Sequence, residues 1–409
     1  MTHITHRQLF FENLAQTSRF PLALEIERAE GCLMYDTEGR AYYDLISGIG
    51  VSNIGHRHPR VVEAIKNQVD HYMHLMVYGE YIQAPQVLLA KSLTESLNVE
   101  VEVPSPYGKI NRVYFTNSGT EAIEGAMKLA KRFTGRFNFI SCVNAYHGAS
   151  QGALSLAGQS FFQDNFRPLL PGTTRIRYGV MEDLSLITPK TAAVVIEVVS
   201  GEAGVRVGEA AYLQAVRKKC TETGSLLILD EVQTGFGRTG TFWAFEDVGI
   251  YPDILVSAKG MGGGMPIGAF MASETIMSTL MENPILGHIT TFGGHPVSCA
   301  AALATYQVIR EEALHATASA KGQLIRDLLG AHPLVKEVRG KGLMLAVELE
   351  SFDLLKKVID GCLERGVVID WFLFCDNSMR IAPPLIITEE QIREAVSVIL
   401  EVMDRFVEN

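Results

Sequence analysis

No uninterrupted apolar run among the 409 residues approaches the roughly 20 that a membrane-spanning helix requires. Basic charge is also scarce: 36 Lys and Arg stand against 46 Asp and Glu, a formal charge of −10. An acidic surface repels nucleic acid and anionic membranes, so neither is expected as a main partner. Cysteine is sparse and unpatterned. Cys32, Cys142, Cys220, Cys299, Cys362 and Cys375 form no CxxC pair, which favours free thiols in a reducing compartment over disulfides or zinc. The first residues, MTHITHRQLFFENLAQ, lack the basic and apolar segments of a secretory leader. A soluble cytoplasmic protein is expected. His56-Arg57-His58 and the pair His71 and His74 are not completed by a carboxylate or cysteine, so no metal site is expected.

What the chain does have is enough apolar content, 47%, for one large core and a smaller one. Residues 23–30 and 32–36 read as two short strands with a turn at 37–40. A glycine-rich loop, 44–59, leads into a helix over 59–71 with an apolar stripe at Val62, Ile65 and Val69. A second helix fits 85–97, and 104–108 is a loop. Strand-like and helix-like segments then alternate. Strands fit 112–116, 137–142, 192–196, 226–229 and 254–256, with helices over 119–134, 209–223 and 295–310. Such alternation predicts an α/β fold with a mostly parallel sheet. Beyond a helix ending near 329 the texture changes to strands at 335–339 and 343–349 and helices over 352–365 and 389–406. This predicts a large domain over 51–310 and a smaller α+β domain over 311–409, with segment 1–50 packing on the latter.

The stretch 226–264 carries the most specific chemistry. One apolar run ends in Asp230; the next ends three residues before Lys259, which a glycine-rich turn follows. In parallel sheets, ligands bind beyond the carboxyl ends of the strands, so both side chains should open into one crevice. A lysine amine and a carboxylate in one crevice are what pyridoxal phosphate requires, one for its aldehyde and one for its pyridine nitrogen. Asn117-Ser118-Gly119-Thr120-Glu121 suits a phosphate at a helix start as well as an ordinary N-cap. Tyr146-His147-Gly148 follows a strand, where an aromatic ring can stack on a pyridine or simply fill a turn. Thr290 to Pro296 repeats the hydroxyl and glycine pattern before a helix. Arg380 suits bidentate capture of a carboxylate, against the ordinary reading of a surface arginine. Gly235-Phe236-Gly237-Arg238-Thr239-Gly240 matches GxGxxG, but it sits six residues from its strand and no ribose-binding acid follows.

With these residues in view the chain resembles the class III pyridoxal-phosphate aminotransferases, nearest to the ornithine and acetylornithine group. The resemblance runs from Gly48-Ile49-Gly50-Val51 to Arg380-Ile381-Ala382-Pro383-Pro384. It implies fold type I, with a seven-stranded type of sheet in the large domain. It implies that Lys259 is the Schiff-base lysine and proton shuttle and Asp230 the partner of the pyridinium nitrogen. Gln233 resembles the ligand of the phenolic oxygen, and Tyr146 and Val232 the two sides of the ring's slot. His147 falls in the same cofactor-binding turn. Ser118, Gly119 and Thr120 resemble the phosphate cup, and Thr291 the phosphate ligand that a second subunit of a homodimer supplies. Arg380 resembles the α-carboxylate clamp, Glu202 its switchable partner, and Tyr81 a residue of the substrate pocket.

Three positions depart from the family pattern. Ala149 stands where relatives acting on ornithine or acetylornithine carry arginine, Glu197-Val198-Val199-Ser200 lacks the usual proline and glutamine, and His295 replaces a common asparagine. The implied reaction is transamination in two halves, from an amino acid or ω-amino donor to an oxo-acid such as 2-oxoglutarate. Rival expectations are an aminomutase or decarboxylating transaminase of the same fold, or a non-catalytic binder of the cofactor.

Overall fold

Short strands, almost wholly buried except at the two edges, build a central sheet of seven. Its order is Arg112–Thr116, Gly268–Ala272, Ile254–Ser257, Leu226–Asp230, Thr191–Ile196, Asn138–Cys142 and Thr173–Ile176. Neighbours run parallel except Gly268–Ala272, which is antiparallel to both of its own. The computed structural model describes residues 5–407. Alternating side chains divide the sheet between two cores. Ile228, Ile254, Val256 and Phe270 face helix Gly119–Thr134 and its buried Ala122, Ile123, Ala126 and Met127. Leu227, Leu229, Leu255 and Met271 face the larger core, shared with helices Ala84–Ser96, Ala210–Thr223 and Pro296–Glu311. Both faces are covered, as a predominantly parallel sheet requires.

Two four-stranded sheets and a two-stranded ribbon, Val199–Ser200 with Arg206–Val207, accompany this one among the described residues. Ile26–Glu30, Leu33–Asp36 and Ala41–Asp44 form an antiparallel meander, which Val367–Val368 extends in parallel on Ala41–Asp44. Glu337–Lys341, Met344–Glu348, Cys375–Ile381 and Asp370–Phe372 form an antiparallel sheet in that order. Helices Phe352–Glu364 and Glu389–Asp404 pack beside these strands.

The structure departs from the sequence reading at several points. Thr173–Ile176, Gly268–Ala272, Ala41–Asp44 and Cys375–Ile381 are strands that the reading did not include. GAFMA is rich in small residues and fully buried, so it lacks alternation; CDNSMRI is too polar to register as a core strand. Helix Pro59–His71 buries Val61, with Ala64 and Ile65 partly covered, whereas Val69 is 41% exposed. Its buried face is therefore turned from the stripe that Val62 and Val69 suggested, toward Pro296–Glu311 and the turn at Gly263, where Val61 packs. The GxGxxG segment is a tight structural loop. Gly237 N–H donates to the Phe242 carbonyl, and buried Arg238 donates to the Leu343 carbonyl and to Asn53 Oδ1.

Close packing of helix Gly119–Thr134 on the sheet depends on Gly125. A Cβ there would lie 2.3 Å from Phe270 Cε1, and Phe270 is itself stacked on Tyr114. Gly125→Ala is expected to destabilise the fold by about 1–3 kcal/mol in denaturant unfolding. Helix propensity alone predicts a gain of about 1 kcal/mol, so a stabilised variant would contradict this packing.

Candidate active site

Four adjacent parallel strands each hand one polar group to the same end of the sheet. Asn138–Cys142 leads to Tyr146 and His147, Thr191–Ile196 to Glu197, Leu226–Asp230 ends in Asp230, and Ile254–Ser257 leads to Lys259. There they line a cavity of about 510 Å³, together with Ser118, Gly119, Thr120, Glu202, Val232 and Gln233. Arg380 reaches the cavity through Glu202.

Asp230 is buried and held by two donors. His147 Nδ1 lies 2.7 Å from its Oδ2, and Val232 N–H donates to its Oδ1 at 3.0 Å. Burial alone would lower the His147 pKa, but the Asp230 carboxylate outweighs it and raises it. Glu197 accepts from Gly201 N–H and the Ser200 hydroxyl. Burial nevertheless pushes its carboxyl up to about 7. Lys259 has a left-handed backbone, φ 46°, unusual for a side chain of this size. Burial depresses its ammonium below the usual lysine range, with Glu202 opposing that shift.

The opposite wall is the start of helix Gly119–Thr134. Ser118 caps it, its hydroxyl accepting from Glu121 N–H at 3.3 Å. The chain passes close here. A Cβ at Gly119 would meet Val232 at 3.1 Å, and one at Gly148 would meet Thr120 Oγ1 at 2.4 Å. Free N–H groups at a helix start, on a cavity this narrow, suit a phosphate. The Thr120 hydroxyl lies 2.6 Å from that of Ser150, which donates to Glu124. Tyr146 and Val232 both border the cavity, and the Gln233 amide lies against Gly201.

At the far end Glu202 grips Arg380 with both oxygens, at 2.9 and 3.1 Å. Against the pull of burial, Arg380 holds Glu202 below the usual carboxylate range. Arg380 lies on strand Cys375–Ile381, one residue from its end. Its Nε donates to Asp370 at 2.9 Å. Burial pushes the Asp370 carboxyl up to about 6, with Arg380 acting in the other direction.

Two expected site residues stand apart. Tyr81 is 54% exposed and does not line the cavity. Thr291 is also exposed; its neighbour Thr290 is the one that accepts from Asn117, at 3.4 Å. Glu197 and Asp370 were not assigned from sequence. The signal for Glu197 was its place directly after a strand; Asp370 is revealed by register alone, because it lies opposite Arg380 in the ladder. His56, set aside as a metal ligand, pairs with Asp44 at 2.9 Å.

Between pH 4.5 and 7 folded Glu197 keeps a proton that the unfolded chain has lost. Its stabilising share is present below pH 4.5 and disappears as pH rises through 7. Across that window the wild type should lose on the order of 3 kcal/mol more stability than Glu197→Gln. Equal pH slopes in unfolding would contradict this reading of the buried carboxyl.

The family model described as "Aminotransferase class-III" matches residues 14–403. An acetylornithine aminotransferase of Methanopyrus kandleri is 40% identical over 382 residues, covering 93% of this chain and 94% of its own. One of Methanocaldococcus jannaschii is also 40% identical, covering 94% of each. The solved ornithine aminotransferase of Toxoplasma gondii superposes with a TM-score of 0.88 at 30% identity, over 97% of this chain and 92% of its own. Together with a lysine, a carboxylate and a helix start on one cavity, these similarities establish that the chain belongs to the class III aminotransferases.

Proposed function

We propose that this enzyme uses pyridoxal phosphate to move an amino group from an ω-amino donor of the ornithine or acetylornithine type to an oxo-acid such as 2-oxoglutarate. The observation that carries this reading is the convergence of His147, Glu197, Asp230 and Lys259 on a cavity closed by the helix start at Ser118. The donor set fits the cofactor: helix N–H groups for its phosphate, a buried carboxylate for its ring nitrogen, and a buried amine for its aldehyde. When bound, that group supplies an aldehyde that captures amines and a ring that accepts electrons.

The residues then divide the work. The lowered pKa of Lys259 favours a neutral amine at Nζ, able to attack a carbonyl and to carry a proton to and from the substrate carbon. Asp230 would hold the proton of the ring nitrogen, oriented by His147 and Val232 N–H. Ser118, Gly119 and Thr120 would take the phosphate, Tyr146 and Val232 would flank the ring, and Gln233 would bond its phenolic oxygen. Arg380 would bind a substrate carboxylate whenever Glu202 releases it, so that one site takes both partners. Ala149 borders the cavity with no cation to offer. The donor's far end is therefore not held by a charge at that position, which distinguishes this pocket from one built around an arginine.

In the same reading residues 51–310 form the cofactor-binding domain, with 311–409 and 1–50 making up the smaller one. The exposure of Thr291 agrees with its service to a neighbouring subunit, and hence with a homodimer sharing its sites; a cytoplasmic location belongs to the same proposal.

Absorbance of the protein with added pyridoxal phosphate tests this. A band near roughly 410–430 nm should form and give way to one near about 330 nm on addition of ornithine, acetylornithine or another ω-amine. Lys259→Ala should show no such band and no multiple turnover. Sustained turnover in that variant would overturn the assignment of Lys259.

A further inference from the structure

Arg380 is held on two edges by two carboxylates. Its terminal edge, Nη1 and Nη2, meets Glu202; its Nε edge meets Asp370. Nη2 also donates to the Trp371 carbonyl at 3.1 Å, and the Phe372 ring lies 4.5 Å below the guanidinium. Asp370, Trp371 and Phe372 belong to the strand paired antiparallel with the one that carries Arg380, and Asp370 is its direct partner.

The two carboxylates differ in their freedom to leave. Glu202 sits in a turn between short strands Val199–Ser200 and Arg206–Val207, on a long side chain that can swing while its backbone stays put; besides Arg380 its carboxylate accepts, among the described residues, only from Leu373 N–H, at 3.1 Å. Asp370 has a short side chain on a backbone that the strand ladder fixes. If Glu202 left and nothing else held it, the guanidinium would be buried without a counter-charge, which is strongly unfavourable. Asp370, the Trp371 carbonyl and Phe372 all remain, on edges that a substrate does not need.

We propose that Asp370 is a positioning and specificity-setting residue: it fixes Arg380 through Nε while Glu202 and a substrate carboxylate exchange on the terminal edge. This rests on the reading of Arg380 as the carboxylate clamp. Asp370 has a second, electrostatic effect. With Glu202 in place, one guanidinium faces two carboxylates, a net negative end that rejects anions and tolerates an amine-bearing or neutral tail. With Glu202 displaced, Asp370 still offsets the arginine, so the incoming carboxylate is held by hydrogen-bond geometry more than by net charge and is readily released.

Geometry and charge are separable by substitution. Asp370→Asn keeps an oxygen acceptor for Nε and removes the negative charge; Asp370→Ala removes both. Calorimetric titration of the pyridoxal-phosphate-loaded protein with glutarate, a dicarboxylate without a reactive carbonyl, reads the clamp apart from turnover. Affinity should fall about tenfold or more in Asp370→Ala. In Asp370→Asn it should recover and exceed that of the wild type, and the KM for the oxo-acid should follow the same order. A merely structural aspartate would not give tighter binding on neutralisation. Arg380→Ala serves as the control. If it binds glutarate like the wild type, the clamp reading itself fails. If it loses binding while Asp370→Ala and Asp370→Asn both match the wild type, the role of Asp370 alone is overturned. Should Asp370→Ala not fold, Asp370→Asn decides: binding no tighter than the wild type would sink the proposal.

Discussion

The contact between Asp230 and His147, 2.7 Å long and buried, ties together the exits of two strands separated by a third. Between them Thr191–Ile196 delivers Glu197, and beyond Asp230 the next strand leads to Lys259. Parallel strands set about 5 Å apart bring their ends into one row, which no single loop could do with the same rigidity. The sheet supplies geometry and its covered faces supply burial. Burial then raises Glu197, lowers Lys259 and leaves charged groups to be balanced by one another. The chemistry of the cavity is a consequence of where the strands stop.

The same dependence on strand geometry holds for the proposed carboxylate clamp, whose arginine comes from a different sheet. Arg380 stands on the hairpin formed by Asp370–Phe372 and Cys375–Ile381, while Glu202 comes from the large sheet's side. Leu373 N–H donates to the Glu202 carboxylate and Phe374 N–H to its carbonyl, so the hairpin tip and the Glu202 turn are fastened to each other. In the proposed function, a carboxylate displacing Glu202 would act on this joint between two parts of the fold. Glu202 also lines the cavity that holds Lys259, so this joint reaches the wall of the candidate site.

How much of this was legible in the sequence follows from the kind of signal each residue carries. Asp230 and Lys259 were readable because apolar runs such as LLIL stop at or just before them, and burial on both faces makes such runs conspicuous. Ser118, Gly119 and Thr120 were readable because a strand, small residues and an amphipathic helix follow in order. The strand Gly268–Ala272 was hidden because close approach to the Ser118 carbonyl demands glycine and small neighbours, which erase strand propensity. The mistaken stripe on Pro59–His71 arose because Val61, Val62, Ile65 and Val69 offer two faces, and only the partner helix chooses between them. Asp370 could not be singled out at all. Its meaning lies in a strand register that the polar CDNSMRI segment does not announce. Thr291 and Tyr81 lie outside the cavity of this chain, and their roles depend on what lies against them.

The most direct measurement is chemical. The protein, loaded with pyridoxal phosphate and reduced with borohydride, would be digested and its peptides mapped by mass spectrometry. A single pyridoxyl adduct on the peptide containing Lys259 is the predicted result, since that buried amine shares the cavity with Asp230 and the helix start at Ser118. An adduct on another lysine, or none, would contradict the placement of the cofactor at the ends of these strands.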